Sequence, residues 1–157
     1  MIRPTCYKYS NAAFILSTFC MSAFPFLVMA EWTEVRLSQY SIAPNSRFYV
    51  DLATIIVSPP TVRMKWLIDM GDGTSNDRIS RYQSATYKSK IFEDEFNCTT
   101  NEIRNWHIYY SSANLANGNG WYYGKQKEPT RWTSLSGWAE EKHTAFRIAC
   151  DALRQGR

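Results

Sequence analysis

Catalytic signatures are the plainest absence in this 157-residue sequence: it has no GxSxG nucleophile turn, no HExxH pair, no phosphate-binding glycine loop, and only two histidines. Motif-bearing hydrolases, zinc proteases and P-loop enzymes therefore have nothing here to rest on. Glycine and proline are sparse, at seven and six residues, which excludes collagen-like and low-complexity chains. An excess of one charge is missing too. Eighteen Lys and Arg face fourteen Asp and Glu, and without Arg3 and Lys8 of the leader argued below, sixteen face fourteen. Charge so nearly balanced is not the footprint of a nucleic-acid binder, and no nucleic-acid partner is expected. No second long apolar run follows residue 30, so no stable membrane insertion is expected once the leader is gone.

What is present is a globular composition, 45% hydrophobic and rich in aromatics, with six Trp, ten Tyr and eight Phe. One domain is the natural count at this length, and roughly two-thirds of the unfolded chain's surface can be buried in it. The first thirty residues divide as a secretory signal does. Arg3 and Lys8 open it, Ala12 to Val28 carry no charge, and Val28-Met29-Ala30 precede Glu31. Signal peptidase accepts small side chains before the cut, so cleavage between Ala30 and Glu31 is expected, leaving a mature domain over residues 31–157. The alternative is an uncleaved anchor, because the apolar stretch nearly reaches the ~20 residues a spanning helix needs. Cys20 follows the bulky Phe19 and so fails the small-residue lipobox, and no lipoprotein anchor is expected. The mature chain then keeps two cysteines, Cys98 and Cys150, and in an oxidising compartment these should pair.

Hydrophobic alternation dominates the first two-thirds of the mature chain. Trp32 to Tyr40, Phe48 to Ala53 and Val62 to Met70 each alternate apolar with polar residues and predict half-buried strands, with turns at Ala43 to Ser46 and Pro59-Pro60. Ala85 to Cys98 and Ile103 to Ser112 form a hairpin. Asn117-Gly118-Asn119-Gly120 then supplies a second turn, into Trp121-Tyr122-Tyr123. The connections are too short for crossover helices, so the strands are antiparallel. After them the period changes. Trp138, Ala139, Lys142, Ala145, Phe146, Ala149, Cys150 and Leu153 recur at helical spacing, predicting a helix from about Gly137 to Leu153 with Ser136 as its N-cap. The expected fold class is α+β: about six antiparallel strands carrying one C-terminal helix, tied to the sheet by Cys98–Cys150.

FYVDLATI at Phe48 to Ile55, VRMKWLIDM at Val62 to Met70, EFNC at Glu95 to Cys98, and the stretch from Arg131 to AFRIAC at Cys150 together resemble the surface-adhesin protein E-like domain of bacterial envelope proteins. The resemblance spans essentially the whole mature chain. It implies a sheet with a disulfide-tied terminal helix, and an adhesin that binds host extracellular-matrix and serum proteins. Namesake members carry a lipid anchor, and the leader departs from them in lacking a lipobox.

Binding is where the aromatic distribution points. Trp106, Tyr110, Trp121, Tyr122, Tyr123 and Trp132 surround the connection from Ser111 to Gly120, with Lys125, Lys127 and Arg131 nearby to meet acidic groups. Rings of this kind supply large contact area at little entropic cost, and this set is the candidate binding surface. Other chemistry has weaker support. The loop Asp69 to Asp77 offers oxygen ligands but lacks the closing Glu of a calcium loop, and reads as a solvated turn with no metal. His107 and His143 lie in no nucleophile motif. Asp51, Glu93, Asp94 and Glu95 fit charged positions on an exposed strand face. No cofactor and no catalytic residue is therefore assigned. The expected function is a non-catalytic, secreted binding module of adhesin type, periplasmic or extracellular, with a protein partner and open sheet edges able to pair with a second copy. A soluble periplasmic binder is the alternative, and a small hydrolase using His107 or His143 the rival from another class.

Overall fold

The computed structural model describes residues 31–37, 45–80, 83–118, 120–123 and 128–156. The expected leader with Ala30, most of the first turn, and Lys125 and Lys127 lie outside them. Nine strands and one α-helix are described, besides a 3-10 turn at Asn114–Ala116. They are β1 (Trp32–Val35), β2 (Arg47–Ser58), β3 (Thr61–Asp69), β4 (Ser75–Ser80), β5 (Gln83–Tyr87), β6 (Ser89–Asn97), β7 (Glu102–Ser111), β8 (Gly120–Tyr123), β9 (Thr133–Ser134) and α1 (Glu140–Arg154). The six strands expected from alternation form one antiparallel path, β1-β2-β3-β6-β7-β8. Two short additions went unseparated in the sequence. β9 adds to β7, and β4 pairs with β5 as a separate hairpin inserted between β3 and β6.

One face of the sheet is covered. Phe48, Val50, Val62, Met64, Trp66, Ile68, Phe92, Phe96 and Ile103 form a core with Ala145, Ala149 and Cys150 of α1. Trp66 is its centre, stacked on Phe92 at 4.0 Å between ring centroids and tilted against Phe48 at 5.6 Å. Ala85 and Tyr87 bring the β4–β5 hairpin into the same core beside Tyr110. Cys98 and Cys150 are bonded, with Cα atoms 5.6 Å apart, so the turn after β6 holds the last turns of α1.

Two local expectations are corrected. The helix starts at Glu140 rather than Gly137, and its N-cap is Ala139, with no side-chain cap, rather than Ser136. The reason lies upstream. β9 is pinned to β7, Leu135 is buried, and the chain then turns through Gly137 at φ 81°, with Trp138 N donating to Leu135 O at 3.2 Å. A helical turn has no room to begin there.

The second correction concerns Leu52, placed with Phe48 and Val50 by alternation but 41% exposed. Between the Asp51–Lys65 and Ile56–Arg63 pairs, β2 bulges away from β3. Asp51 and Thr54 satisfy the bulge in place of the ladder. The Asp51 carboxylate accepts from Ala53 N at 3.1 Å, and Thr54 Oγ1 accepts from Lys65 N at 3.0 Å. The period-2 phase is reset, which leaves Ile56 exposed and packs Val57 against the core.

Candidate functional site: the helix-free sheet face

Side chains alternate across a strand, so the residues between the core positions point to the face that α1 does not cover. The register lines them up in rows. Tyr49, Leu67, Ile91 and Tyr109 are successive cross-strand partners. Asp51, Lys65, Glu93 and His107 make the next row, and Ile56, Arg63, Glu95 and Arg104 the one after. The first row is apolar enough to bury Leu67 completely. The other two carry alternating charges, which cross-strand pairing stabilises.

A β-bulge centres this face. Between the Glu93–His107 and Asp94–Asn105 pairs β7 has one residue more than β6, and that residue is Trp106. Bulges re-aim side chains, and here the indole lands over the charged rows. Its Nε1 donates to Glu95 Oε2 at 2.7 Å, and the Arg63 and Arg104 guanidiniums lie 4.6 and 5.7 Å from its ring centroid. Arg104 bridges onward to Glu95 at 2.7 Å and to the Trp132 ring at 4.5 Å. Arg63 meets Glu93 at 3.6 Å, and Glu93 also contacts His107 Nδ1 at 2.9 Å. The result is two indoles interleaved with two cations, each cation matched by a carboxylate. Beside it a depression of about 250 Å³ runs between Ile56, Ser58, Arg63 and Trp106.

Burial alone would raise the Glu95 carboxyl, but hydrogen bonds from Trp106, Thr61 and Arg104 outweigh it and hold the group below its ordinary value of 4.5. Next to it in sequence, Asp94 points the other way into the core and is fully buried. It accepts from Trp66 Nε1 at 2.9 Å and Asn105 Nδ2 at 2.8 Å, with Lys142 of α1 at 4.0 Å. There burial dominates, pushing the Asp94 carboxyl up and the Lys142 ammonium down against their mutual attraction.

The expected surface residues are only partly brought together. Trp106 and Trp132 share the open face through Arg104, and Arg131 is exposed next to Trp132. Tyr110 is a correction to that set: it is 5% exposed on the covered side, against Tyr87, with its hydroxyl donating to Asp77 at 3.0 Å. Trp121, Tyr122 and Tyr123 stand in β8 opposite Tyr110, Tyr109 and Ile108. Arg63, Arg104, Glu93 and Glu95 were missed as site residues. Two carboxylates at alternate positions, Glu93 and Glu95, were the available signal for one face.

The other candidates take structural positions. Asp69 accepts from Gly71 N, Asn114 Nδ2 and Leu115 N at 2.6–2.9 Å, holding a turn in which Leu115 and Ala116 have φ of 50° and 58°. Asp77 pairs with Lys90. The two ends of the expected solvated loop are thus engaged within the fold, and among the described residues no cluster of three His, Cys, Asp or Glu could hold a metal. His107 and His143 lie on opposite sides of the sheet. No described helix is long and apolar enough to cross a membrane.

A family model described as surface-adhesin protein E matches residues 32–151, nearly the whole of the region built above. The chain belongs to the surface-adhesin protein E family. The family is one of adhesin-like envelope surface proteins. Similar solved structures include Haemophilus influenzae protein E in crystal form II, at TM-score 0.49 and 15% identity over 66% of this chain and 80% of that one. Protein E from non-typeable Haemophilus influenzae gives TM-score 0.49 and 14% identity over 79% and 88%. No curated protein matches the chain.

Proposed function

We propose that residues 31–157 form a secreted, non-catalytic binding module of the bacterial envelope whose helix-free face, centred on Trp106, docks a host extracellular-matrix or serum protein. One observation carries this reading: an indole placed by a bulge and clasped by two guanidiniums at the middle of a sheet face. Trp and Arg dominate the energetics of protein interfaces because each combines a large contact area with directional polar contacts. Their cations are neutralised by Glu93 and Glu95, so a partner meets a pre-paired surface and need not itself be strongly charged. Export through a signal peptide cleaved after Ala30 accompanies this reading.

The test is surface plasmon resonance of the purified, oxidised protein over immobilised matrix and serum proteins, comparing wild type, Trp106→Ala and Arg104→Gln. Saturable binding that weakens at least about tenfold in Trp106→Ala, with an unchanged circular dichroism spectrum, supports the face. Equal binding by Trp106→Ala and wild type removes it. Protease shaving of intact cells separates surface display from a periplasmic binder.

A further inference from the structure

A second depression, of about 720 Å³, lies at the other end of the molecule from β8, between the turn after β6 and the first turns of α1. Asn101, Ser134, Ser136, Trp138, His143 and Arg147 line it, with Leu135 and Phe146 supplying the apolar part and Glu140 an acceptor. Its walls are tied together. Leu135 N donates to Asn101 O at 3.0 Å, Trp138 Nε1 donates to Ser134 O at 3.0 Å, and the Cys98–Cys150 bond joins the turn to the helix. Little ordering is left to be done by an incoming ligand, which favours affinity.

Its chemistry differs from that of the Trp106 face. There each guanidinium has a carboxylate. Here Arg147 is exposed, donates once, to Thr144 Oγ1 at 2.7 Å, and is in no ion pair among the described residues. Trp138 has the Lys142 ammonium 3.8 Å from its ring centroid yet remains 43% exposed, one of three large hydrophobics so open among the described residues. An aromatic surface ringed by two serine hydroxyls, an amide, an imidazole and the Glu140 carboxylate suits a flat, polyhydroxylated ring, whose hydroxyls both donate and accept. A purely apolar ligand would desolvate those groups without replacing their bonds to water. A neutral sugar would leave Arg147 unmatched, whereas a carboxylate gives it a charge-assisted hydrogen bond. We infer that this depression binds an acidic monosaccharide unit, with Trp138 under the ring and Arg147 on the carboxylate. The inference stands apart from the Trp106 reading and neither requires nor supports it.

Nuclear magnetic resonance titration of the oxidised protein with glucuronic acid, and with glucose as its neutral counterpart, tests it. The expected result is saturable shifts at the Trp138 indole and along the start of α1, with a Kd of about 1–10 mM for the acid and about tenfold weaker binding of glucose. Arg147→Gln, at an exposed position, should erase the preference for the acid. Trp138→Ala should remove saturation by both sugars, and Trp106→Ala should leave the titration as in wild type. No saturable shift up to about 50 mM overturns the proposal. So does an acid preference that survives Arg147→Gln, a response that maps to Trp106, or shifts produced by a short acidic peptide but not by the sugar acid.

Discussion

Asp94 and Glu95 are neighbours on β6, yet they belong to different solvents. Asp94 lies under α1, bound by an indole, an amide and a half-buried lysine, and burial raises its carboxyl. Glu95 lies on the open face, where Trp106, Thr61 and Arg104 lower its carboxyl against the same opposing force. One step along a strand reverses the sign because the alternation hands one residue to the dry side and the next to a charged lattice. The covered face is where apolar burial stabilises the fold. The open face keeps its aromatics half-buried by pairing them with ions, and such a surface can exchange its last water for a partner.

That comparison can be broken first with tryptophans. Trp66→Ala should destabilise the protein by about 3–5 kcal/mol in urea unfolding, since it opens a cavity beside Phe48 and Phe92 and takes one of its hydrogen-bond donors from the buried Asp94 carboxylate. Trp106→Ala, on the other face, should cost about 1–2 kcal/mol, from one hydrogen bond and its cation contacts. Equal losses would mean that the open face is as much core as the covered one. Removing the disulfide with Cys98→Ser and Cys150→Ser should cost about 4 kcal/mol on the chain-entropy scale for a separation of 52 residues, read by the same melts in oxidised and variant protein.

The smallest effect sharpens the comparison most. Glu95 has a lowered folded-state value, so its contribution to stability is complete above 4.5 and is lost as pH falls through that lowered value. Glu95→Gln should therefore flatten the acid limb of a stability profile measured between about pH 3 and 7. Asp94 has a raised value, so in the window above its ordinary 3.8 the folded state holds the extra proton and stability declines as pH rises. Asp94→Asn should remove that decline, tilting the profile in the sense opposite to Glu95→Gln. Two variants that tilt it alike would contradict the two-face account.

Much of the architecture was legible in local pattern. Val62, Met64, Trp66, Ile68 and Met70 at alternate positions placed β3 and its buried side, and the change to helical spacing placed most of α1. The candidate surface was less legible. Tyr110 and Trp106 are equally aromatic and four residues apart, and nothing local distinguishes the ring held in the core from the ring on the open face. The bulge at Trp106 and the one after Asp51 each reset a phase, and a bulge depends on how two strands meet. The start of α1 was misjudged for a related reason, because β9 and buried Leu135 hold Ser136 out of helical conformation.

By itself, then, the sequence determined the six strand segments of the main path, the terminal helix and the two cysteines that bond, all of which follow from period and composition within a few residues. Only the tertiary structure decided which aromatics face outward, which carboxylates are paired, and that Trp138 and Arg147 share a depression with the turn at Asn101. Those depend on register between strands far apart in the chain, and register is settled by the packing of the whole sheet rather than by any one segment.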